Sequence, residues 1–241
     1  MPTVTTLILA TARADDGLFV AGMTAEPDPV TGLRWVRLVR ENSRAQMRDI
    51  LTTDGRTLHP FDVAELSLLQ PRPFPPRTED WIADFERVPP RIIRRLEGER
   101  RSRFLREHCD TAPRQVLEAQ KRSLCLIRAR SIEGSFRQEP GSAHLRARMR
   151  FKAGPRTYRG SLPQGGFAAT DPGWLALGRS WLPEGGGWIE FDRGILRARH
   201  GIEEIYLVVA LSRCQQRRFE PVIAGVHTVP DYQCLDVSAS V

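Results

Sequence analysis

Between His144 and Ser161 the chain reads HLRARMRFKAGPRTYRGS, a stretch whose chemistry is that of guanidinium groups. Arg146, Arg148 and Arg150 alternate with Leu145, Ala147, Met149 and Phe151, and a period of two places the arginines on one face of a strand and the apolar groups on the other. Lys152 to Pro155 carries a Gly-Pro turn signal, after which a return strand offers Arg156, Tyr158 and Arg159. A second basic cluster follows at Arg213, Gln215, Gln216, Arg217 and Arg218. Arginine suits bidentate phosphate contacts and stacking on bases, and Tyr158 and Phe136 lie close enough in sequence to the hairpin to act as stacking platforms. A charged strand face is most often merely solvated. Two basic surfaces brought together argue for a polyanion.

Other chemistries are poorly supplied. Glu26 and Asp28, Asp62 and Glu65, Glu79, Asp80 and Asp84, and Glu203 and Glu204 are the carboxylate sets able to hold a divalent ion for phosphodiester cleavage. Neither Lys121 nor Lys152 stands near such a set, as a metal-dependent nuclease of the PD-x-E-x-K type would require. His59, His108, His144, His200 and His227 lack metal-ligand spacing, and Cys109, Cys125, Cys214 and Cys234 form no CxxC pair. Reduced thiols are expected. No GxxxxGK[ST] loop exists, and Gly185 to Gly187 lacks the strand and helix flanks of a nucleotide site. The expectation is a protein that is not an enzyme, with no catalytic residue, metal or cofactor.

The 241 residues carry a net charge of +7, and 34 of the 36 basic residues are arginine, a skew that a GC-rich genome would also favour. Residues 86–160 hold 18 arginines and 2 lysines against 8 acids, a local +12 that leaves the rest of the chain at −5. The positive field is therefore concentrated. No apolar run is long enough to span a membrane and no signal peptide is evident, so a soluble, cytoplasmic protein without membrane contact is expected.

The elements that must position these residues read as two β units. TTLILATA, LFVAGMTAE and LRWVRLVRE form three strands, Ser43 caps a short helix through Leu51, and FDVAELSLLQ forms a fourth strand before the proline-rich piece at residues 71–76. Pro89 to Lys121 reads as helical, with Ile92, Ile93, Leu96, Phe104 and Leu105 as apolar points and arginines between them. SLCLIRA opens the second unit, the basic hairpin follows, and Asp171 or Thr170 caps a helix with Pro172 at its first position. WIEFD and ILRAR read as a short hairpin, and EEIYLVVAL, apolar on both faces, as a central strand before FEPVIAGVH. Three strands, a helix and two strands is the order of an OB-fold, whose strands 2 and 3, with the loops joining strands 1 to 2 and 4 to 5, bind oligonucleotides. On that order the basic hairpin is strands 2 and 3, and Ser212 to Arg218 is the second binding loop.

In sum the chain is mainly β with some α, an α+β protein of two OB-like small β-barrels joined by a helical connector. The boundaries fall at 1–86, 87–121 and 122–241. FVAGM at residues 19–23 is faintly echoed by VIAGV at 222–226.

LFVAGM, RWVRLV, FDVAELSLL and EDW in the first half, with LRARMRF, RTYRGSL, TDPGW, IYLVVAL and FEPVIAG in the second, resemble in their order the bacterial dual OB-containing domain family. Leu38 stands where that family usually has proline, and PQGGFAATDP is longer than usual. The resemblance implies two OB-like barrels and a nucleic-acid role in bacterial defence or mobile-element systems, with no catalytic residue to carry over. The expected function is a non-catalytic accessory protein that binds DNA or RNA, single strands ahead of duplexes, through Arg146, Arg148, Arg150, Lys152, Arg156, Tyr158, Arg159, Arg213, Arg217 and Arg218, and that acts with a bacterial protein partner. The alternative is a protein-interaction module anchored by Trp81 and Trp188, with a metal-dependent nuclease as the remoter one.

Overall fold

A computed structural model describes residues 3–14, 17–29, 32–160, 165–213 and 219–232. Its first unit comprises β1 (Thr3–Ala14), β2 (Gly17–Asp28), β3 (Gly32–Val39), β4 (Asp62–Pro71) and β5 (Asp80–Ala83). They pair in the order β1-β2-β3-β5-β4, and β4 returns to β1, so the sheet closes on itself. The β3–β5 pair is parallel and the others antiparallel. This is the OB path. Ile8, Val20, Val36, Leu38, Ala64 and Leu66 fill the barrel. The short helix expected from Ser43 is a single 3₁₀ turn at Met47–Ile50, entered from Gln46, whose backbone N–H donates to Asp49 at 2.7 Å.

The region read as helical from Pro89 begins instead with a strand, β6 (Arg91–Arg95), paired antiparallel to β4. Ile92, Ile93 and Leu96 satisfy a helical spacing, but the carbonyls and amides of β4 offer a ready ladder. Helix begins later, in α1 (Gly98–Glu107) and the single turn α2 (Arg114–Leu117).

In the second unit β7 (Leu124–Ala129) and β8 (Ser131–Gln138) are the two halves of one bent strand, interrupted at Arg130. β9 (Leu145–Ala153), β10 (Arg156–Tyr158), β11 (Phe167–Ala169), β13 (Glu204–Arg213) and β14 (Phe219–Val229) complete the path β8-β9-β11-β14-β13-β7. β11 and β14 are parallel, so this is a second OB path closed through the bent first strand. The hairpin return is thus split. β10 extends β9 for three residues, whereas β11, which begins at Phe167, carries the strand-3 pairing with β14.

Two helices and an added strand finish this barrel. Asp171 caps α3 (Pro172–Trp181) by accepting the Trp174 N–H at 2.9 Å, and its other oxygen accepts the Val226 N–H at 2.8 Å. β12 (Gly187–Asp192) adds to the outer edge of β8. ILRAR is helix rather than strand: Asp192 caps α4 (Arg193–His200), and Gly201 ends it in the left-handed conformation at φ 63°. A Cβ on Gly178 would lie 2.2 Å from the Phe136 ring, so glycine lets α3 close over the core. Phe136 is wholly buried among Trp174, Trp181 and Phe191 and is no base platform.

The barrels share an apolar layer. Side chains of β1 to β3 that point out of the first barrel, including Leu9, Phe19, Met23 and Trp35, meet Leu124, Leu126, Tyr206 and Val208 from the outside of the second. β13 is apolar on both faces because one face fills its barrel and the other fills this seam. Each fully buried aliphatic side chain there is worth about 1.5–3 kcal/mol.

Polar ties flank the seam. Glu79, at the start of β5, accepts from the Ser123 N–H at 2.9 Å, the Ser123 hydroxyl at 2.8 Å and the Leu124 N–H at 3.1 Å. Arg101 of α1 is buried, donates to the Thr228 carbonyl at 2.7 Å, and lies 4.3 Å from the Phe61 ring centre. His227 Nε2 donates to the Leu9 carbonyl at 2.8 Å, edge-on to Phe61. Burial, reinforced by the Arg101 charge, pushes the pKa of His227 down to about 3.

Removing the Glu79 carboxylate strands three buried donors, so Glu79→Ala is expected to lower the unfolding free energy by about 3 kcal/mol in a denaturant titration, with exposed Glu184→Ala unchanged. His227 predicts an acid sensitivity. Its folded pKa lies below the unfolded value of about 6.5, so its contribution is full above that value and is lost as pH falls. Between pH 7 and pH 5 the loss is about 2 kcal/mol. Asp171, whose pKa burial raises, acts in the opposite sense. The difference in this loss between wild type and His227→Gln isolates the histidine; equal losses would contradict the assignment.

Candidate nucleic-acid interface

β9 is the strand on which the basic face depends, and its alternation is realised in space. Leu145, Ala147, Met149 and Phe151 are buried in the barrel, while Arg146 and Arg150 are exposed and Arg148 and Lys152 half-buried on the outer face. Register with β8 and β12 arranges that face in rows. Arg146 stands opposite Arg137, which stands opposite Trp188. Arg148 faces Ser135 and then Glu190; Arg150 faces Glu133 and then Asp192; Lys152 faces Ser131. A Cβ on Gly134 would lie 2.5 Å from the Phe191 ring and 2.3 Å from the Arg148 carbonyl oxygen, so glycine there lets β12 seat against β8 and hold Trp188 in its row.

The rows differ in electrostatics. Arg150 donates from Nε to Glu133 Oε2 at 2.8 Å and from Nη2 to the same oxygen, so its charge is largely answered within the protein. Arg156 pairs with Glu118 at 2.8 Å, and the Tyr158 hydroxyl donates to the same carboxylate at 3.1 Å. Burial and that carboxylate raise the Tyr158 pKa, and its ring packs on Phe151, so this tyrosine is a fixed strut and not a free platform.

At the opposite end Arg146 makes no ion pair or hydrogen bond among the described residues, although Arg137, directly across the strands, is a like charge. Arg137 is shared with the exposed Glu139 at 2.9 Å. Like charges directly opposite are unfavourable. Arg148 reaches the Gly166 carbonyl at 3.4 Å, and burial together with the Arg146 charge lowers its pKa. This end has spare positive charge.

Trp188 sits beside it, 65% exposed. The indole, Ser135 and Arg148 border two cavities. One of about 600 Å³ is also lined by Arg137, Arg146 and Gly187, and one of about 320 Å³ by Glu133, Glu190 and Asp192. The pattern GWIEFD carried the signal for this aromatic, since alternation puts Trp188 in the same set as Glu190 and Asp192 and so on the polar side.

The remaining sequence candidates fall elsewhere. Arg159 is exposed beyond β10. Arg213 ends β13, with its side chain outside the described residues, as are Arg217 and Arg218 and most of the second binding loop. Trp81 is half-buried with the Arg34 guanidinium 5.0 Å from its ring centre. Among the described residues no group of three or more His, Cys, Asp or Glu is placed to hold a metal ion, and no helix is long and apolar enough to cross a membrane.

Among the described residues the first barrel offers no equivalent face. Its strands 2 and 3 direct Phe19, Ala21, Met23 and Trp35 into the seam, all buried. Of the two strand 2–3 faces, the second barrel's is the one that the described residues leave uncovered along β9.

Comparison with curated proteins and with solved structures returned no match. A family model described as a dual OB-containing domain matches residues 4–172, from β1 to the first residue of α3. With that match over well over half the chain and two closed OB paths in one body, the protein belongs to the dual OB-containing domain family.

Proposed function

We propose that the chain is a non-catalytic nucleic-acid-binding protein that takes a single strand across the outer face of β8, β9 and β12. The observation that carries the reading is the juxtaposition of exposed Trp188 with Arg137, Arg146 and Arg148 on the strand 1–2 side of an open OB face. A base stacks on the indole while the guanidinium groups meet neighbouring phosphates. In a duplex the bases are stacked inside the helix and unavailable to an indole, so single strands are favoured. The contact set is thereby narrower than the whole basic hairpin: Arg150, Arg156 and Tyr158 are engaged by Glu133 and Glu118. A role as an accessory component of a bacterial defence or mobile-element system belongs to this proposal through the family resemblance.

A protein partner is favoured by a separate feature. β6 pairs only with β4 among the described strands and exposes Ile93, and Phe74 is 59% exposed in the segment after β4. An exposed strand edge is a template for another chain.

Fluorescence anisotropy with labelled single-stranded DNA and RNA tests the first reading. Trp188→Ala is expected to weaken binding by about 1–3 kcal/mol, and Arg146→Glu to weaken it while flattening the salt dependence by about one phosphate or more. Arg150→Ala should cost less than Arg146→Ala, and Glu133→Gln, which frees Arg150, should tighten binding. Absence of binding at low salt, or indifference to Trp188 and Arg146, would overturn the reading.

A further inference from the structure

The two cavities beside Trp188 differ in chemistry. The larger is lined by the guanidinium groups of Arg137, Arg146 and Arg148 against one carboxylate, Glu139, which pairs with Arg137, a balance that suits a phosphate track. The smaller, at about 320 Å³ within the range of small-molecule sites, combines one wall of the indole with Ser135, Arg148, Arg150 and three carboxylates. Two of those carboxylates are engaged. Glu133 holds Arg150, and Asp192 caps α4 by accepting the Ile195 N–H at 2.8 Å. Glu190 makes no hydrogen bond or ion pair among the described residues. It lies two residues along β12 from Trp188, on the same face and in the row of Ser135 and Arg148.

A free carboxylate is a strange neighbour for a nucleic-acid backbone, because it repels phosphate. It is a suitable neighbour for a base edge. A carboxylate only accepts hydrogen bonds, so it selects a base by the donors on its edge. Guanine presents N1–H and an N2 amino group side by side, two donors for one carboxylate, with O6 and N7 as acceptors for an arginine. Cytosine offers its N4 amino group beside acceptors. Adenine pairs one amino group with a ring-nitrogen acceptor, and thymine or uracil flanks one N–H with two carbonyls. Against Glu190 each of these sets an acceptor lone pair where guanine sets a donor.

We propose that the smaller cavity is a base-reading pocket in which a guanine stacks on Trp188, donates its N1–H and N2 amino group to Glu190, and accepts from Arg148. This rests on the nucleic-acid reading above and adds base preference to it.

The test uses the full chain and short thymidine tracts carrying one central guanine, inosine, cytosine or adenine, measured by anisotropy at fixed salt. Guanine is expected to bind about tenfold tighter than thymine or adenine, with inosine, which lacks the N2 amino group, in between. Glu190→Gln should abolish the guanine advantage and tighten binding to the plain thymidine tract, since a negative charge is removed. Both shifts must appear in the same exposed-residue variant, which a general loss of folding would not produce. Equal affinity for all tracts, with binding still sensitive to Trp188→Ala and Arg146→Glu, would overturn the guanine pocket and leave the nucleic-acid reading standing. No binding of any tract would overturn both.

Discussion

The apolar seam between the barrels decides what each barrel can do. Leu9, Phe19, Met23 and Trp35 leave the first barrel to meet Leu124, Leu126, Tyr206 and Val208 of the second, and all eight are buried. The surface that the first barrel contributes runs from β1 to β3 and so includes its strand 2–3 side, where OB-folds take oligonucleotides. The second barrel contributes its strand 1, 4 and 5 side instead and keeps strand 2 outward. The two barrels are thus unequal partners. One serves as a base and the other carries the open face.

Glu79, Arg101 and His227 give the seam a fixed geometry. An apolar contact alone tolerates sliding, whereas three donors converging on Glu79, and a buried arginine and a neutral histidine each bonded to a backbone carbonyl across the seam or along its rim, do not. Burying these groups is costly unless each is paired, which makes the arrangement sensitive to loss of any one partner and, through His227, to acid.

Much of this was legible in the chain. β1 to β4 show as β-branched and aromatic runs bounded by turn residues and β9 by its alternation, the Asp171-Pro172 start of α3 reads directly, and the OB order follows from the element sequence. β6 was hidden because Ile92, Ile93 and Leu96 fit a helical period equally well, and α4 because a five-residue run of mixed character does not separate strand from helix. The misreadings at the site share a cause. Whether Arg150 is free depends on Glu133 lying opposite it, and a shift of one residue in register would have changed its neighbour. Phe136 departs from expectation because barrel closure buries it under Gly178, whereas Trp188 stays outward on the added edge strand, as its alternation with Glu190 and Asp192 and its reading as an exposed anchor require. EEIYLVVAL shows the same lesson, since its second apolar face belongs to the seam.

On the proposed function a nucleic-acid strand meets one barrel, on the face that the seam leaves uncovered. Ultraviolet cross-linking of the full chain to a single-stranded oligonucleotide, followed by peptide mapping, tests this directly. Adducts are expected in peptides covering β8, β9 and β12, with Trp188 among the modified residues, and not in the stretch from β2 to β3. Cross-links concentrated on Phe19, Ala21, Met23 and Trp35 would contradict the account, because they would require the seam to open and the first barrel to present the face now buried in it.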